Sequence, residues 1–130
     1  MSEKERLRSP LGRAVGLGSA KEGVAHWWAQ RVTAVALIPL ILWFVAALVA
    51  LTGADRSTVV AWLQEPFPAI VTVLLLIAGL YHMSLGIQVV IEDYVHGEAM
   101  KISAIVLEKL VAFAIAVAGI FAVLRIAFQG

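Results

Sequence analysis

The chain has no cysteine. That excludes disulfides, thioether-attached haem and cysteine-ligated iron–sulfur clusters within it. Any metal must be held by histidine or carboxylate. Charge is scarce too: 15% of its 130 residues are Asp, Glu, Lys or Arg, against about a quarter in a soluble domain. The net charge is only +1, and the basic residues are not interleaved with aromatics that could stack bases, which excludes nucleic acid as a partner. There is no internal repeat and no low-complexity tract. Apolar residues are what the chain has in abundance. They make up 62% of it, and the mean hydropathy is +0.93. This is the composition of an integral membrane protein with one domain and little material outside the bilayer.

A hydrocarbon core of about 30 Å needs about 20 helical residues. Three segments meet that length: 32–52, 67–91 and 102–128. The expected fold class is therefore an all-α membrane protein with three transmembrane helices. The expected divisions are an N-terminal arm at 1–31, loops at 53–66 and 92–101, and the three spans between and after them. Residues 1–24 hold Gly12, Gly16, Gly18 and Gly23 and read as irregular. The first 31 residues lack the short apolar core and cleavage pattern of a signal peptide. Pro39 is expected to bend the first helix, whereas Pro66 and Pro68 suit the start of the second. Within the loop, the stretch from Thr58 to Leu63 reads as a short interfacial helix with Trp62 at headgroup level.

Lys and Arg set orientation. Lys4, Arg6, Arg8, Arg13, Lys21, Arg31, Lys101 and Lys109 share one side; the other has only Arg56 and Arg125. The N-terminus is thus expected in the cytoplasm and the C-terminus in the periplasm. Asp93, Tyr94 and His96 then face the cytoplasm. Trp27 and Trp28 read as an aromatic belt on the same side.

His82 is an ionisable group inside the second apolar run, and such residues mark pathways, ligands or cofactors. Gly86 follows one turn later and either lets something large and flat approach the backbone or serves close helix packing. Asp93 lies eleven residues on, about three turns and about 16 Å along the same face. From the pattern alone His82 could ligate haem, relay protons or pack as a hydrogen-bonded histidine. A low-spin b-type haem needs two axial ligands, and His82 is the only histidine at membrane depth. A haem here would have to be shared with another chain or with a symmetry copy. Arg31, at the mouth of the first helix, either snorkels to water or pairs with a propionate or phosphate. The Glu92-Asp93-Tyr94 cluster is either a solvated helix end or a proton-handling site suited to a quinone head group. Ser84 and Gln88 are expected to bond to neighbouring helices. Glu108 and Lys109 point about 100° apart. They are expected at the interface, unpaired and without chemistry.

The run from His82 to Val95 resembles the haem and quinone segment of the small hydrophobic D-type membrane anchor of succinate dehydrogenase. The family pattern is His, then Gly four residues on, then Gln, then Asp-Tyr at eleven and twelve. His82, Gly86, Gln88, Asp93 and Tyr94 match it. The stretch Gly23–Ala34 resembles the family's N-terminal region, where Arg-x-Thr-Ala opens the first helix. The resemblance implies a multi-pass protein of the bacterial inner membrane. It implies three partner chains: a second membrane anchor (the cytochrome b subunit), an iron–sulfur subunit and a flavoprotein. It implies a haem b shared with the second anchor, with His82 as axial ligand, Arg31 as propionate partner and Gly86 packing beside the group. Ubiquinone would be the substrate, with Tyr94 donating to its carbonyl and Asp93 in support. The chain alone would have no catalytic activity. A fumarate reductase anchor and a haem-free structural anchor are the alternatives. A small multidrug-type transporter is disfavoured, because no acidic residue reads as mid-membrane.

Overall fold

The computed structural model describes residues 18–129, and among them it is all helical. Helix α1 spans Gly18–Ala50, α2 Arg56–Gln64, α3 Pro66–Tyr94 and α4 Glu98–Gln129. Three of these, α1, α3 and α4, are long and apolar enough to cross a membrane. The helices outrun the apolar runs that predict them. In α3 the helix continues through Glu92, Asp93 and Tyr94, and only Val95–Gly97 separates it from α4. The backbone gains by closing its own hydrogen bonds right through the interfacial zone, so helicity does not stop where hydropathy does.

One expectation is corrected at the N-terminal end. The segment read as irregular through residue 24 is already helical from Gly18. Glycines at 18 and 23 weaken a helix but do not end one when a long run propagates from its C-terminal side. The rest of the expected arm, with Lys4, Arg6, Arg8 and Arg13, lies outside the described residues. Pro39 sits inside α1 without ending it.

Helix α1 closes in a turn whose Gly53 has φ +80°, a left-handed conformation that glycine adopts without strain. Asp55 then caps α2. Its carboxylate accepts from the Thr58 amide at 2.9 Å, the Thr58 hydroxyl at 2.6 Å and the Ser57 hydroxyl at 3.0 Å. These bonds, that of the Thr58 hydroxyl foremost, hold its carboxyl below the ordinary carboxylate value. The short helix read from Thr58 to Leu63 is thus present and slightly longer. Trp62 stacks on Trp43 of α1 at 5.6 Å, and Phe67 of α3 meets Trp43 edge-on at 6.0 Å. Helix α3 begins at Pro66, where a missing N–H removes no helical bond.

Helix α3 packs against both other long helices. Thr33 meets His82, and Leu37 lies beside Gly79, so α1 and α3 run antiparallel. Ser84 meets Glu108, and Leu76 lies 3.2 Å from where a Cβ on Gly119 would stand, so α3 and α4 are antiparallel too. Among the described residues buried side chains are few: Leu37 of α1, Pro68, Ala69, Ser84 and Leu85 of α3, and Ala112 and Val123 of α4. The other large apolar side chains are exposed or partly exposed, as suits a lipid surround.

Candidate functional site

One turn of α3 carries polar groups toward both neighbours. His82 points to α1, where its Nδ1 lies 3.0 Å from the Thr33 hydroxyl. Ser84 is 200° further round by helical geometry, roughly the opposite face. Its hydroxyl donates to Glu108 Oε1 of α4 at 3.0 Å.

The imidazole of His82 opens on a groove of about 480 Å³ lined by Ala34, Leu37, Ile38, Ile41 and Leu42 of α1. The walls are wholly aliphatic. No hydrogen bond reaches His82 Nε2 among the described residues. Gly86 has no atom within 4 Å of where a Cβ would stand, so the space beside it is open. Seven and eleven residues separate Arg31 from Ile38 and Leu42. That puts all three on one stripe of α1, with Ile38 and Leu42 each within about 20° of Arg31. Arg31 is exposed, and its guanidinium lies over the Trp27 ring at 5.3 Å. Trp27 and Trp28 contact edge-on at 5.0 Å, both exposed.

His26 and Gln30 precede Thr33 on the same face of α1. His26 Nε2 and Gln30 Oε1 are buried without a partner. Buried polar atoms normally find one. The sequence reading assigned neither residue a role. The signal available was spacing: 26, 30 and 33 fall on one helical face.

Asp93 and Tyr94 lie in the last turn of α3, both exposed, with Tyr94 at 77%. No hydrogen bond joins them. Adjacent helical residues diverge by about 100°, so each presents its group separately. His96 is exposed in the following loop.

Three expectations are corrected here. Gln88 bonds within its own helix, its Nε2 donating to Glu92 Oε1 at 3.0 Å, rather than to a neighbour. Glu108 and Lys109 do pair, at 3.4 Å, because the long lysine side chain folds back. Glu108 is also no interfacial bystander. Its side chain is only 11% exposed, and it sits level with Ser84, two residues from His82. An acidic group therefore does occur at the depth of the histidine. Its Oε2 is buried and has no partner.

Among the described residues no three His, Cys, Asp or Glu side chains converge. His82 offers a single nitrogen donor. A larger groove, about 580 Å³, lies at the opposite end between Arg56 and Arg125 and contains no imidazole, carboxylate or phenol.

Residues 5–123 match the model of the succinate dehydrogenase/fumarate reductase transmembrane subunit family. The chain is 36% identical over 120 residues to the succinate dehydrogenase hydrophobic membrane anchor subunit of Paracoccus denitrificans, covering 92% of each chain. It is 36% identical to the subunit of that description from Rickettsia bellii, covering 90% of this chain and 94% of the relative. It is 35% identical to the succinate dehydrogenase membrane anchor subunit of Reclinomonas americana, over 73% of this chain and 82% of the relative. No solved structure matches it. With three apolar spans and bacterial membrane-anchor relatives, it is a multi-pass protein of the bacterial inner membrane. The chain belongs to the succinate dehydrogenase/fumarate reductase transmembrane subunit family.

Proposed function

We propose that this chain is a membrane anchor of a succinate dehydrogenase that shares a b-type haem with a second anchor and contributes to the ubiquinone-reduction site. The observation that carries this reading is His82. Its Nδ1 is engaged by Thr33, and no hydrogen bond reaches its Nε2 among the described residues. The ring borders an aliphatic groove, and the space where a Gly86 Cβ would stand, one turn away, is separately open. That donor set would supply one ligand to a haem and no more, so a second would come from the partner anchor. The orphaned His26 Nε2 and Gln30 Oε1 fit a polar edge of a bound group on the N-terminal side of α1.

A bound b-type haem supplies a one-electron carrier at membrane depth. The chain's own residues do the rest. His82 provides the imidazole nitrogen. Arg31, on the stripe that lines the groove, supplies a fixed positive charge for a propionate. Gly86 keeps side-chain bulk away from the ring. At the end of α3 the Tyr94 hydroxyl would donate to a quinone carbonyl, with the Asp93 carboxylate in support. Quinone reduction takes up two electrons and two protons, so a carboxylate and a phenol at the membrane edge suit it. The eight-to-two distribution of Lys and Arg supports a cytoplasmic N-terminus, which puts Asp93 and Tyr94 on the cytoplasmic side. An iron–sulfur subunit and a flavoprotein that oxidises succinate would dock there. The relatives named as succinate dehydrogenase anchors support succinate oxidation over fumarate reduction.

The Thr33–His82 bond would also serve a haem-free bundle, and absorbance separates the two. In the assembled complex, the reduced-minus-oxidised spectrum is expected to show a b-type α band that His82→Ala shifts or abolishes. A bis-imidazole EPR signal unchanged by His82→Ala would sink the ligand assignment. A wild-type complex without haem would establish the structural anchor instead.

A further inference from the structure

Thr33 Oγ1 is 2.7 Å from the Ala29 carbonyl, 3.1 Å from the Gln30 carbonyl and 3.0 Å from His82 Nδ1. A hydroxyl has one proton and two lone pairs, whereas a carbonyl can only accept. With that proton on the Ala29 carbonyl, the shortest of the three contacts, the side chain presents a lone pair to the imidazole, Nδ1 carries the imidazole proton and Nε2 is bare. The reverse arrangement, Thr33 donating to a bare Nδ1, belongs to the Nε2–H tautomer. That tautomer would leave an Nε2–H with no hydrogen-bond acceptor among the described residues, on a ring that borders a groove walled by aliphatic side chains.

We propose that Thr33 is the positioning residue of His82: it holds the ring in the Nδ1–H tautomer, fixes its plane and raises the donor strength of Nε2. For the identity of what Nε2 binds, this rests on the haem reading above. The back-bond to Ala29 fixes χ1 of Thr33, a torsion that is already stiff in a β-branched residue. The acceptor is thus pre-set before any group binds. Such back-bonds slightly destabilise a helix, so in this apolar span its use lies in the cross-helix contact. A histidine that donates its second N–H becomes a more basic ligand, with its tautomer and orientation fixed. A more basic ligand favours the ferric state.

The test compares Thr33→Val and Thr33→Ser in the assembled complex, by redox titration and EPR of the low-spin haem. Valine keeps the shape and removes the acceptor; serine restores it. Thr33→Val is expected to raise the haem midpoint and shift the low-field g value. Thr33→Ser is expected to return both toward wild type. Wild-type midpoint and g value in Thr33→Val would overturn the proposal. If Thr33→Val loses haem, recovery in Thr33→Ser supports the hydroxyl, and loss in both variants overturns it in favour of packing. His82→Ala keeps the two readings apart. If it leaves the haem signal intact, the ligand assignment fails. If it abolishes the signal while Thr33→Val changes nothing, only the role of Thr33 fails.

Discussion

Arg31 and Thr33 are two residues apart on α1 and point about 200° apart, so they act on different surfaces. Thr33 turns inward to α3, and Arg31 faces the groove side with its guanidinium resting on Trp27. Losing each should move the haem midpoint in opposite directions. Arg31→Leu removes a positive charge and leaves a propionate less compensated, which favours the more positive, oxidised iron. The midpoint is expected to fall, and a redox titration indistinguishable from wild type would assign Arg31 to snorkelling alone. Tyr94 is the other residue whose chemistry can be isolated, since Tyr94→Phe deletes only a hydroxyl. Losing one hydrogen bond to a partly buried acceptor costs about 1–3 kcal/mol, or roughly 5- to 150-fold. Quinone reductase activity of the complex is expected to drop within that range. Succinate oxidation by an artificial acceptor that draws electrons from the flavoprotein should stay unchanged. A parallel fall in both would point to assembly, and no fall in either would make Asp93 and Tyr94 a solvated helix end.

Among the elements, α3 is clamped through one turn, by Thr33 of α1 on one side and Glu108 of α4 on the other. The Ser84–Glu108 bond lies between two apolar helices, where lipid offers neither group a substitute. Interhelical hydrogen bonds in membranes nevertheless couple by only about 0.6 kcal/mol on average and about 1.7 at most, because the separated helices find other partners. A double-mutant cycle of Ser84→Ala and Glu108→Ala, read as thermal stability of the assembled complex, should return a coupling within those limits. Additive effects would mean the pair is not coupled. Lys109 adds little to it, being about half exposed at 47%. The close approach of α3 and α4 at Gly119 also depends on size: a Cβ there meets Leu76 at 3.2 Å, tight but against the tip of a flexible side chain.

For the whole molecule, the apolar surface points outward, and few side chains are buried within the chain. On the proposed anchor reading, lipid and partner helices complete it, and its stability belongs to the assembled complex. Its orientation is testable because it has no cysteine of its own to interfere. Ala54 in the α1–α2 turn and Glu98 at the start of α4 are exposed at opposite ends of the bundle. In intact cells a membrane-impermeant maleimide is expected to label Ala54→Cys, after passage through the outer membrane, and to leave Glu98→Cys unlabelled. Permeabilising the inner membrane should expose the second site. The reverse pattern would put the N-terminus in the periplasm and remove the quinone assignment from the cytoplasmic face.

The three spans, the shared face of His82, Gly86 and Asp93, and the prolines opening α3 were legible in the sequence. Each depends on one segment alone: run length against bilayer thickness, 3.6-residue periodicity, a missing N–H at a helix start. The helical start at Gly18 was missed because composition there favours irregularity while the long run beyond it propagates helix backward. What joins the spans was not legible. Thr33 and His82 are 49 residues apart, and Ser84 and Glu108 are 24 apart. No local spacing relates such residues. Their meeting depends on how far each helix is slid and rotated against its neighbour, which side-chain packing along the whole contact decides. Sequence by itself therefore determined that a histidine would lie at membrane depth and on which face of its helix. Only the tertiary structure decided which hydroxyl holds it, and so which of its two nitrogens is left free.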